Sequence, residues 1–199
     1  MTKKWYSKHV KDPFVKKAQR EGARSRAAYK LEGIQNKFSL INRGHSVLDL
    51  GSAPGAWSAL LVKLVGPLGT VVACDLLEMK PISGVRFVQG DFLEQQTVDA
   101  ICKDGQKFDV IVSDMAPNIT GMAVVDQANM LSLIEQAIAM TANHLAVGGA
   151  LVMKSFSGSG LDESKRLFNS SFSSVKVYKP EASRQASKEI YLIGIGFKV

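Results

Sequence analysis

The hydrophobic positions of the chain form two kinds of pattern, short apolar runs and longer stretches in which apolar residues recur at helical spacing. The short runs predict buried strands, and the helical spacing predicts amphipathic helices. The predicted strands cover residues 46–50, 70–76, 85–89, 108–114, 150–155, 174–180 and 189–197. The predicted helices cover residues 18–35, 56–65, 92–103, 126–147 and 161–172.

The alternation of strands and helices predicts a doubly wound, Rossmann-like α/β fold with a mostly parallel sheet. The segment FDVIVSD at 108–114 is almost continuously apolar, as expected of a central strand that is covered on both faces. The last two predicted strands are joined only by the polar loop EASRQASK at 181–188. Because no helix separates these two strands, we expect a C-terminal antiparallel hairpin.

Length and composition indicate one domain preceded by a short arm. The chain has 199 residues, of which 46% are hydrophobic and 22% are charged, as is typical of a globular protein. We expect a basic N-terminal arm over residues 1–17 and a single domain over residues 18–199. The sequence has no apolar run that suits a membrane helix or a secretory signal, and Cys74 and Cys102 lack metal-binding spacing. These features favour a cytoplasmic protein with reduced thiols.

The net charge of +7 is concentrated at one end of the chain. Residues 1–30 contain ten Lys or Arg and two acidic residues, whereas the rest of the chain contains 15 basic and 16 acidic residues. Three aromatic residues, Trp5, Tyr6 and Phe14, lie among these basic residues. A basic segment with interleaved aromatics suits RNA phosphates and unstacked bases. A solvated tail without a partner is the alternative that charge alone leaves open.

The first predicted strand leads directly into a glycine-containing turn, DLGSAPGAW at 49–57, and then into a helix. Ligands of doubly wound sheets bind beyond the carboxyl ends of the strands, where Gly51 and Gly55 allow the backbone to approach a ligand closely. The turn is neither GxGxxG nor a phosphate loop, so it favours the phosphate-free S-adenosylmethionine over NAD or ATP. A plain strand-to-helix turn would also explain these glycines.

An acidic residue follows at the end of each of the next two predicted strands. Asp75 stands where a carboxylate can accept hydrogen bonds from both hydroxyls of a cofactor ribose. Asp91 is placed to accept from the adenine amino group, although it could instead cap the helix that follows it. The turn, the two acids and the final hairpin together favour a methyltransferase-type sheet over an ordinary dinucleotide-binding fold.

Two charged residues end strands that are otherwise apolar. Asp114 closes the strand at 108–114, and Lys154 lies near the end of the strand at 150–155. Charges on core strands are costly unless they are paired, so an acid and a base on neighbouring strands suggest mutual support beside the cofactor. An ion pair at the rim of the sheet, with no role in chemistry, is the alternative.

Six segments of the sequence match the pattern of one known family. They are SRAAYKL at 25–31, DLGSAPGAW at 49–57, ACDLL at 73–77, QGDF at 89–92, SDMAPN at 113–118 and SKEIY at 187–191. In these segments and over residues 18–197 the chain resembles the FtsJ/RrmJ heat-shock ribosomal RNA methyltransferases. It departs from the family at Ala56, where glycine is usual, and at Lys188, where arginine is common.

The resemblance implies methylation of a uridine ribose 2′-hydroxyl in the A-loop of large-subunit (23S) ribosomal RNA, with S-adenosylmethionine as cofactor and without a metal. It implies that the assembled large ribosomal subunit is the partner, and we expect a monomer. The family's catalytic tetrad falls on Lys30, Asp114, Lys154 and Glu189. Its cofactor contacts fall on Gly55, Trp57, Asp75, Asp91 and Asp114.

The chemistry of this reaction explains the residue types. The sulfonium methyl of the cofactor is already electrophilic, whereas the ribose hydroxyl is a weak acid and a poor nucleophile. A neutral Lys154 could accept the hydroxyl proton, or a charged Lys154 could steer the hydroxyl. Lys30 and Glu189 could hold the ribose and the amine in register. The polar loop with Ser183, Arg184, Ser187 and Lys188 could grip RNA phosphates together with the basic arm.

Two other classes of function stay open at this point. One is a methyltransferase that acts on transfer RNA, on a cap ribose or on a small molecule, although a small acceptor would not explain the basic end of the chain. The other is an RNA-binding module that keeps the cofactor fold without catalysis. All four tetrad residues are present, which argues against the second class.

Overall fold

A computed structural model of the protein describes residues 12–158 and 160–198, apart from the side chain of Asp104. The predicted basic arm before Asp12, with Trp5 and Tyr6, lies outside the described residues. The helices are α1 (Pro13–Glu21), α2 (Ala28–Phe38), α3 (Ala56–Val65), α4 (Gln95–Ile101), α5 (Ala123–His144) and α6 (Leu161–Ser171). The strands are β1 (Ser46–Leu50), β2 (Thr70–Asp75), β3 (Val85–Gln89), β4 (Phe108–Ser113), β5 (Leu145–Phe156), β6 (Phe172–Tyr178) and β7 (Glu189–Phe197).

The strands form one sheet in the order β3-β2-β1-β4-β5-β7-β6. Strands β1 to β5 are parallel, whereas β7 is antiparallel to both β5 and β6. The prediction of a doubly wound α/β fold that ends in an antiparallel hairpin is therefore confirmed. Because β7 runs against β5, Glu189 at its start pairs with Phe156 at the end of β5. The reversed strand thus begins at the edge of the sheet where the parallel strands end.

Apolar residues cover both faces of this sheet, as its parallel strands require. Alternate positions of β1 point to opposite sides, so that Leu48 packs with α5 and α6 while Val47 packs with α2 and α3. Leu48 and Val47 are both fully buried. The hydrophobic core therefore consists of two layers that hold the strands rigidly, and it leaves the carboxyl edge of the sheet for polar side chains.

The single helix predicted over residues 18–35 is wrong, since two helices occupy this part of the chain. Helix α1 begins earlier, because Asp12 caps it by accepting a hydrogen bond from the Phe14 N–H (3.0 Å) and Pro13 suits the first helical position. Helix α1 then ends at Gly22, which has a φ of 66°. Left-handed backbone at a glycine stops a helix that apolar spacing alone would continue.

This break gives a stability test with an internal control. Gly22→Ala is expected to lower the free energy of unfolding by about 1 kcal/mol, because a Cβ strains left-handed backbone even where it meets no atom within 4 Å. Gly33→Ala, inside α2 and in ordinary contact with the Tyr178 hydroxyl at 3.5 Å, is expected to raise it by about 0.5 kcal/mol. Urea unfolding measures both. A Gly22→Ala variant as stable as the wild type would contradict the left-handed turn.

Several predicted boundaries are also wrong around α5 and β5. The helix predicted over 126–147 occupies Ala123–His144, and β5 begins at Leu145 instead of residue 150. Leu145 is buried and pairs with Phe108, and the register then shifts before the regular pairing of β4 with β5 resumes. This tertiary pairing overrides the helical spacing. Helix α4 is likewise shorter than the predicted 92–103, and β6 begins at Phe172, earlier than the predicted 174.

Candidate active site

The four residues of the expected tetrad meet at the carboxyl edge of the sheet. Asp114 follows β4, Lys154 lies near the end of β5, and Glu189 starts the reversed strand β7. Lys30 comes from the first turns of α2, which packs on this face of the sheet. All four side chains are largely buried, with exposed fractions between 11% and 18%.

Asp114 is the centre of this group, because both lysines point to its carboxylate. Its Oδ1 lies 2.8 Å from the Lys154 Nζ, and its Oδ2 lies 3.6 Å from the Lys30 Nζ. The Lys154 Nζ also donates a hydrogen bond to the main-chain carbonyl of Asp114. The amine of Lys154 is therefore fixed by two acceptors of one residue.

Glu189 neutralises the second lysine. Each of its two carboxylate oxygens lies 2.9 Å from the Lys30 Nζ, and Oε1 also accepts a hydrogen bond from the Ser183 hydroxyl (2.7 Å). When all four groups are ionised, the charges of the two lysines and the two acids balance, and buried charges are tolerated when they are paired in this way. The four charges form one connected network and not a single ion pair at the rim of the sheet.

Tyr191 belongs to this network, although the sequence reasoning did not identify it. Its hydroxyl donates a hydrogen bond of 2.5 Å to Asp114 Oδ1, and its side chain is fully buried against Trp57. Burial, with the nearby charges of Asp114 and Glu189, raises the pKa of Tyr191. Tyr191 therefore remains a donor to Asp114. Tyr191 follows Glu189 by two residues on the same strand, so the two side chains lie on the same face of the sheet. This spacing is the feature of the sequence that could have identified Tyr191.

A cavity of about 500 Å³ lies next to this group, at the ends of β1, β2, β3 and β4. Asp75 and Asp91 both line it, as does Gly51. Asp75 is held rigidly, because its two oxygens accept hydrogen bonds of 2.8 Å from the Ala53 and Leu77 N–H groups. Each oxygen of a carboxylate has two lone pairs, so acceptor capacity remains for a ligand hydroxyl.

Gly55, Trp57 and Asp114, which were also expected to contact the cofactor, do not line this cavity. The Trp57 side chain is buried in the core, and its indole N–H donates to the Ala27 carbonyl (2.8 Å). Gly55 is the left-handed residue before α3, with a φ of 92°. Their cofactor contacts stay predictions, and any contact by Trp57 would have to come from its backbone.

The turn that precedes α3 has two features that suit a ligand. A Cβ on Gly51 would lie 2.0 Å from the Met115 side chain, so the backbone here is closely covered by a flexible residue that lines the cavity. Ser52 is buried, and among residues 12–158 and 160–198 its Oγ is the buried side-chain polar atom without a hydrogen-bond partner. A polar ligand group or a water molecule at this turn would satisfy it.

Asp49 lies beneath the same turn and is almost completely buried. Its Oδ2 accepts a hydrogen bond of 2.6 Å from the Ser58 hydroxyl. Burial, followed by the charges of Asp114 and Asp75, raises the pKa of Asp49 to about 7, against which the Ser58 hydrogen bond acts. The raised pKa means that the folded protein holds this proton more tightly than the unfolded chain does.

The stability contribution of Asp49 is therefore complete below its ordinary pKa of 3.8 and is lost as the pH rises through about 7. Relative to the wild type, Asp49→Asn is expected to gain about 2 kcal/mol in free energy of unfolding between pH 5 and pH 8. Denaturant unfolding at the two pH values measures this gain. Asp99→Asn, at an exposed position on α4, serves as the control. If Asp49→Asn gains no more free energy of unfolding than Asp99→Asn between the two pH values, the pKa of Asp49 is not raised.

The two cysteines are free, as expected. Burial, together with the charges of Asp75 and Asp91, raises the pKa of Cys74 to about 12. Burial likewise raises the pKa of Cys102 to about 11. Both side chains are therefore thiols at neutral pH and poor nucleophiles, although Cys74 lines the cofactor cavity.

The loop between β6 and β7 serves the site more directly than the sequence suggested. Ser183 is buried and donates to Glu189, while the Ser187 hydroxyl accepts a hydrogen bond of 3.1 Å from the Glu189 N–H. Arg184 lies 3.4 Å from Asp12. The two serines thus position a tetrad residue, and the expectation that the loop grips RNA phosphates stays a prediction.

Within residues 12–158 and 160–198, no group of three or more His, Cys, Asp or Glu side chains could hold a metal ion. In the same part of the chain, no helix has the length and apolar character needed to cross a membrane.

The sheet order with its reversed strand, and the cavity with its two acids, define an α/β methyltransferase. Residues 23–197 match the family described as FtsJ-like methyltransferase, and the chain belongs to this family. The resemblance seen in the sequence is confirmed. The chain is accordingly a methyltransferase, and its cofactor is S-adenosylmethionine.

The chain is similar along nearly its whole length to two curated relatives. Both are named ribosomal RNA large subunit methyltransferase E. The relative from Marinobacter nauticus is 50% identical over 98% of this chain and 96% of its own length. The relative from Variovorax paradoxus is 46% identical over 100% of this chain and 94% of its own length.

Solved structures show the same fold. A ribosomal RNA methyltransferase from Plasmodium falciparum superposes with a TM-score of 0.77 at 28% identity, covering 87% of this chain and 98% of that one. Fibrillarin from Aeropyrum pernix, whose structure contains natively bound S-adenosyl-L-methionine, has a TM-score of 0.61 at 12% identity. It covers 87% of this chain and 75% of its own, and this likeness concerns the fold alone.

Proposed function

We propose that the protein transfers a methyl group from S-adenosylmethionine to the ribose 2′-hydroxyl of a uridine in large-subunit (23S) ribosomal RNA, with the assembled large subunit as substrate. The observation that carries this proposal is the connected network of Lys30, Asp114, Lys154 and Glu189 beside the cavity that Asp75 and Asp91 line. The names of the two relatives, at 50% and 46% identity, support the choice of ribosomal RNA.

The residues at the cavity fit S-adenosylmethionine. Asp75 offers acceptors for the two ribose hydroxyls, and its orientation is fixed by two backbone N–H groups. Asp91 offers an acceptor for the adenine amino group and is itself oriented by the Leu93 N–H (3.0 Å). Gly51 and Met115 line the same cavity, where Met115 packs directly over the Gly51 backbone. When bound, the cofactor supplies an electrophilic methyl group on its sulfonium.

Lys154 is the proton acceptor in this proposal. A neutral amine has two N–H donors and one lone pair, and both acceptors that the structure gives to Lys154 belong to Asp114. If Asp114 takes both donors, the lone pair is the part of the amine that remains for the 2′-hydroxyl proton. Asp114 thereby orients the base, and Tyr191 in turn orients Asp114.

Lys30 and Glu189 hold the acceptor side of the site. Lys30 stands between the two acids, so it ties the end of β4 to the start of β7. Glu189, fixed by Lys30 and Ser183, keeps acceptor capacity for a ribose hydroxyl. Attack requires the reacting atoms to be held about 3–3.5 Å apart, so this positioning supplies a large part of the rate acceleration.

The N-terminal part of the chain is the RNA-binding arm of this proposal. The described part of it, residues 12–17 at the start of α1, carries Lys16 and Lys17, and Lys17 lies 3.8 Å from Glu32 on α2. Basic residues at phosphates position an RNA without reading its sequence, so the arm would dock the substrate and the tetrad would select the hydroxyl. Because its proposed substrate is ribosomal, we propose that the protein acts in the cytoplasm. We also propose that it acts as a monomer in which residues 18–199 form one domain.

The substrate is tested by transfer of labelled methyl from S-adenosylmethionine to three acceptors in parallel. These are large ribosomal subunits that lack the modification, naked large-subunit RNA and bulk transfer RNA. We expect label in the A-loop of the assembled subunits, and none with Asp75→Ala, which lacks the ribose acceptor. Label on transfer RNA with unlabelled subunits would overturn the choice of substrate. Label on naked RNA alone would overturn the requirement for assembly.

A further inference from the structure

Arg24 joins the segment between α1 and α2 to two loops at the cofactor cavity. Its guanidinium donates hydrogen bonds to the main-chain carbonyls of Pro54 (3.0 Å), Lys80 (2.9 Å) and Pro81 (2.8 Å). Pro54 belongs to the turn between β1 and α3, and the other two belong to the loop that follows β2. Arg24 itself does not line the cavity.

The two loops are packed against each other at the place where Arg24 holds them. A Cβ on Gly55 would lie 2.6 Å from Ile82 Cδ1, 2.8 Å from Met79 Sδ and 3.4 Å from the Arg24 guanidinium. The side chains of Ile82 and Met79 in the loop therefore pack directly against the Gly55 backbone in the turn, because Gly55 has no Cβ. Arg24 lies at the edge of this contact. Backbone packed this closely has few alternative arrangements.

The carboxylate of Asp75 is bonded to both loops. Its Oδ2 accepts from the Ala53 N–H in the turn, and its Oδ1 accepts from the Leu77 N–H in the loop after β2. A displacement of either loop would move one of these N–H groups and rotate the carboxylate. The position of the ribose acceptor therefore depends on the contact between the loops, and through it on Arg24.

The segment that carries Arg24 is anchored at a second point. The Ala27 carbonyl accepts a hydrogen bond from the Trp57 indole at the start of α3. This contact fixes the backbone three residues after Arg24 to the helix that follows the turn. The planar fork of Arg24 can serve three carbonyls at once, which a single lysine ammonium on a flexible stem does less well.

We propose that Arg24 is a positioning residue for S-adenosylmethionine: it holds the turn and the loop that orient Asp75, and so sets the affinity for the methyl donor without touching it. This inference rests on the assignment of the cofactor. It extends the proposed function by giving one basic residue near the N terminus a role that is separate from RNA binding.

The test is the Kd for S-adenosylmethionine without RNA, measured by isothermal titration calorimetry. Arg24→Ala is expected to raise the Kd about tenfold, since the interactions that preorganise the ribose acceptor are lost. Arg24→Lys keeps the charge and is expected to raise the Kd about threefold. Arg166→Ala, on the exposed surface of α6, is the matched control and is expected to bind like the wild type.

A merely structural role would lower the thermal midpoint and leave the affinity of the folded protein unchanged. The methyl-transfer assay separates the two roles, because a positioning role raises the KM for S-adenosylmethionine and leaves kcat within about twofold. If Arg24→Ala does not fold, Arg24→Lys decides, and wild-type affinity in that variant overturns the inference. Failure of the wild type to bind S-adenosylmethionine would instead overturn the proposed function.

Discussion

Lys154→Ala is expected to lower kcat for methyl transfer about a thousandfold, because a positioned general base contributes about 10²–10⁴-fold to a proton transfer. The Kd for S-adenosylmethionine is expected to stay within about twofold of the wild type, since Lys154 does not line the cofactor cavity. Single-turnover transfer to unmodified large subunits measures the first quantity, and calorimetry measures the second.

Lys154→Arg separates the two roles that a lysine could play at this position. Arginine remains charged in proteins, so it can steer a hydroxyl as a cation but cannot accept its proton. If Lys154 is the base, the arginine variant is expected to be as inactive as the alanine variant. Activity of Lys154→Arg within about tenfold of the wild type would show an orienting cation instead. Lys63→Ala, exposed on α3, controls for loss of positive charge.

Asp114→Ala is expected to have the largest combined effect on stability and activity. Removing this carboxylate leaves Lys154 and Lys30 near each other, and among the four tetrad residues Glu189 alone remains to balance them. Loss of one partner of a buried ion pair costs about 3 kcal/mol, which lowers the Tm of a chain of this size by about 10 °C. Methyl transfer is expected to fall at least about a hundredfold, because the Lys154 amine is no longer oriented.

A surface ion pair of the same length provides the control for this prediction. Glu163 lies 2.8 Å from Arg166 on α6, the same distance as between Asp114 and Lys154, but both side chains are at least half exposed. Glu163→Ala is expected to change the free energy of unfolding by less than about 1 kcal/mol. Scanning calorimetry compares the two variants. Equal small shifts would mean that the tetrad is not a buried, mutually dependent network.

The fold could be predicted from the sequence where local pattern and tertiary packing agree. The strands at 46–50, 85–89 and 189–197 and the helix at 56–65 were predicted with their observed bounds. The predictions failed where a distant contact or a backbone conformation decides the structure. Leu145 is a strand residue because it pairs with Phe108, and no local pattern contains that pairing.

The same distinction applies to the site. Asp114 and Lys154 are visible in the sequence, because charges at the ends of apolar strands are unusual. Lys30 and Glu189 were available only through the family resemblance, since their elements join the site by tertiary packing. Ser183 and Arg24 were missed as positioning residues for a similar reason. Both lie in polar loops that look ordinary in the sequence. Arg24 donates to a carbonyl 30 residues away, and Ser183 donates to the Glu189 carboxylate, whose position is set by the fold.

The position of the transferred methyl group tests the central claim most directly. RNA from labelled large subunits is digested with alkali, which cleaves next to a free 2′-hydroxyl and does not cleave next to a 2′-O-methyl group. We expect the label to be released in alkali-resistant dinucleotides that contain uridine. Label released in mononucleotides would show methylation of a base and would contradict the proposed role of Lys30, Asp114, Lys154 and Glu189 in activating a ribose hydroxyl.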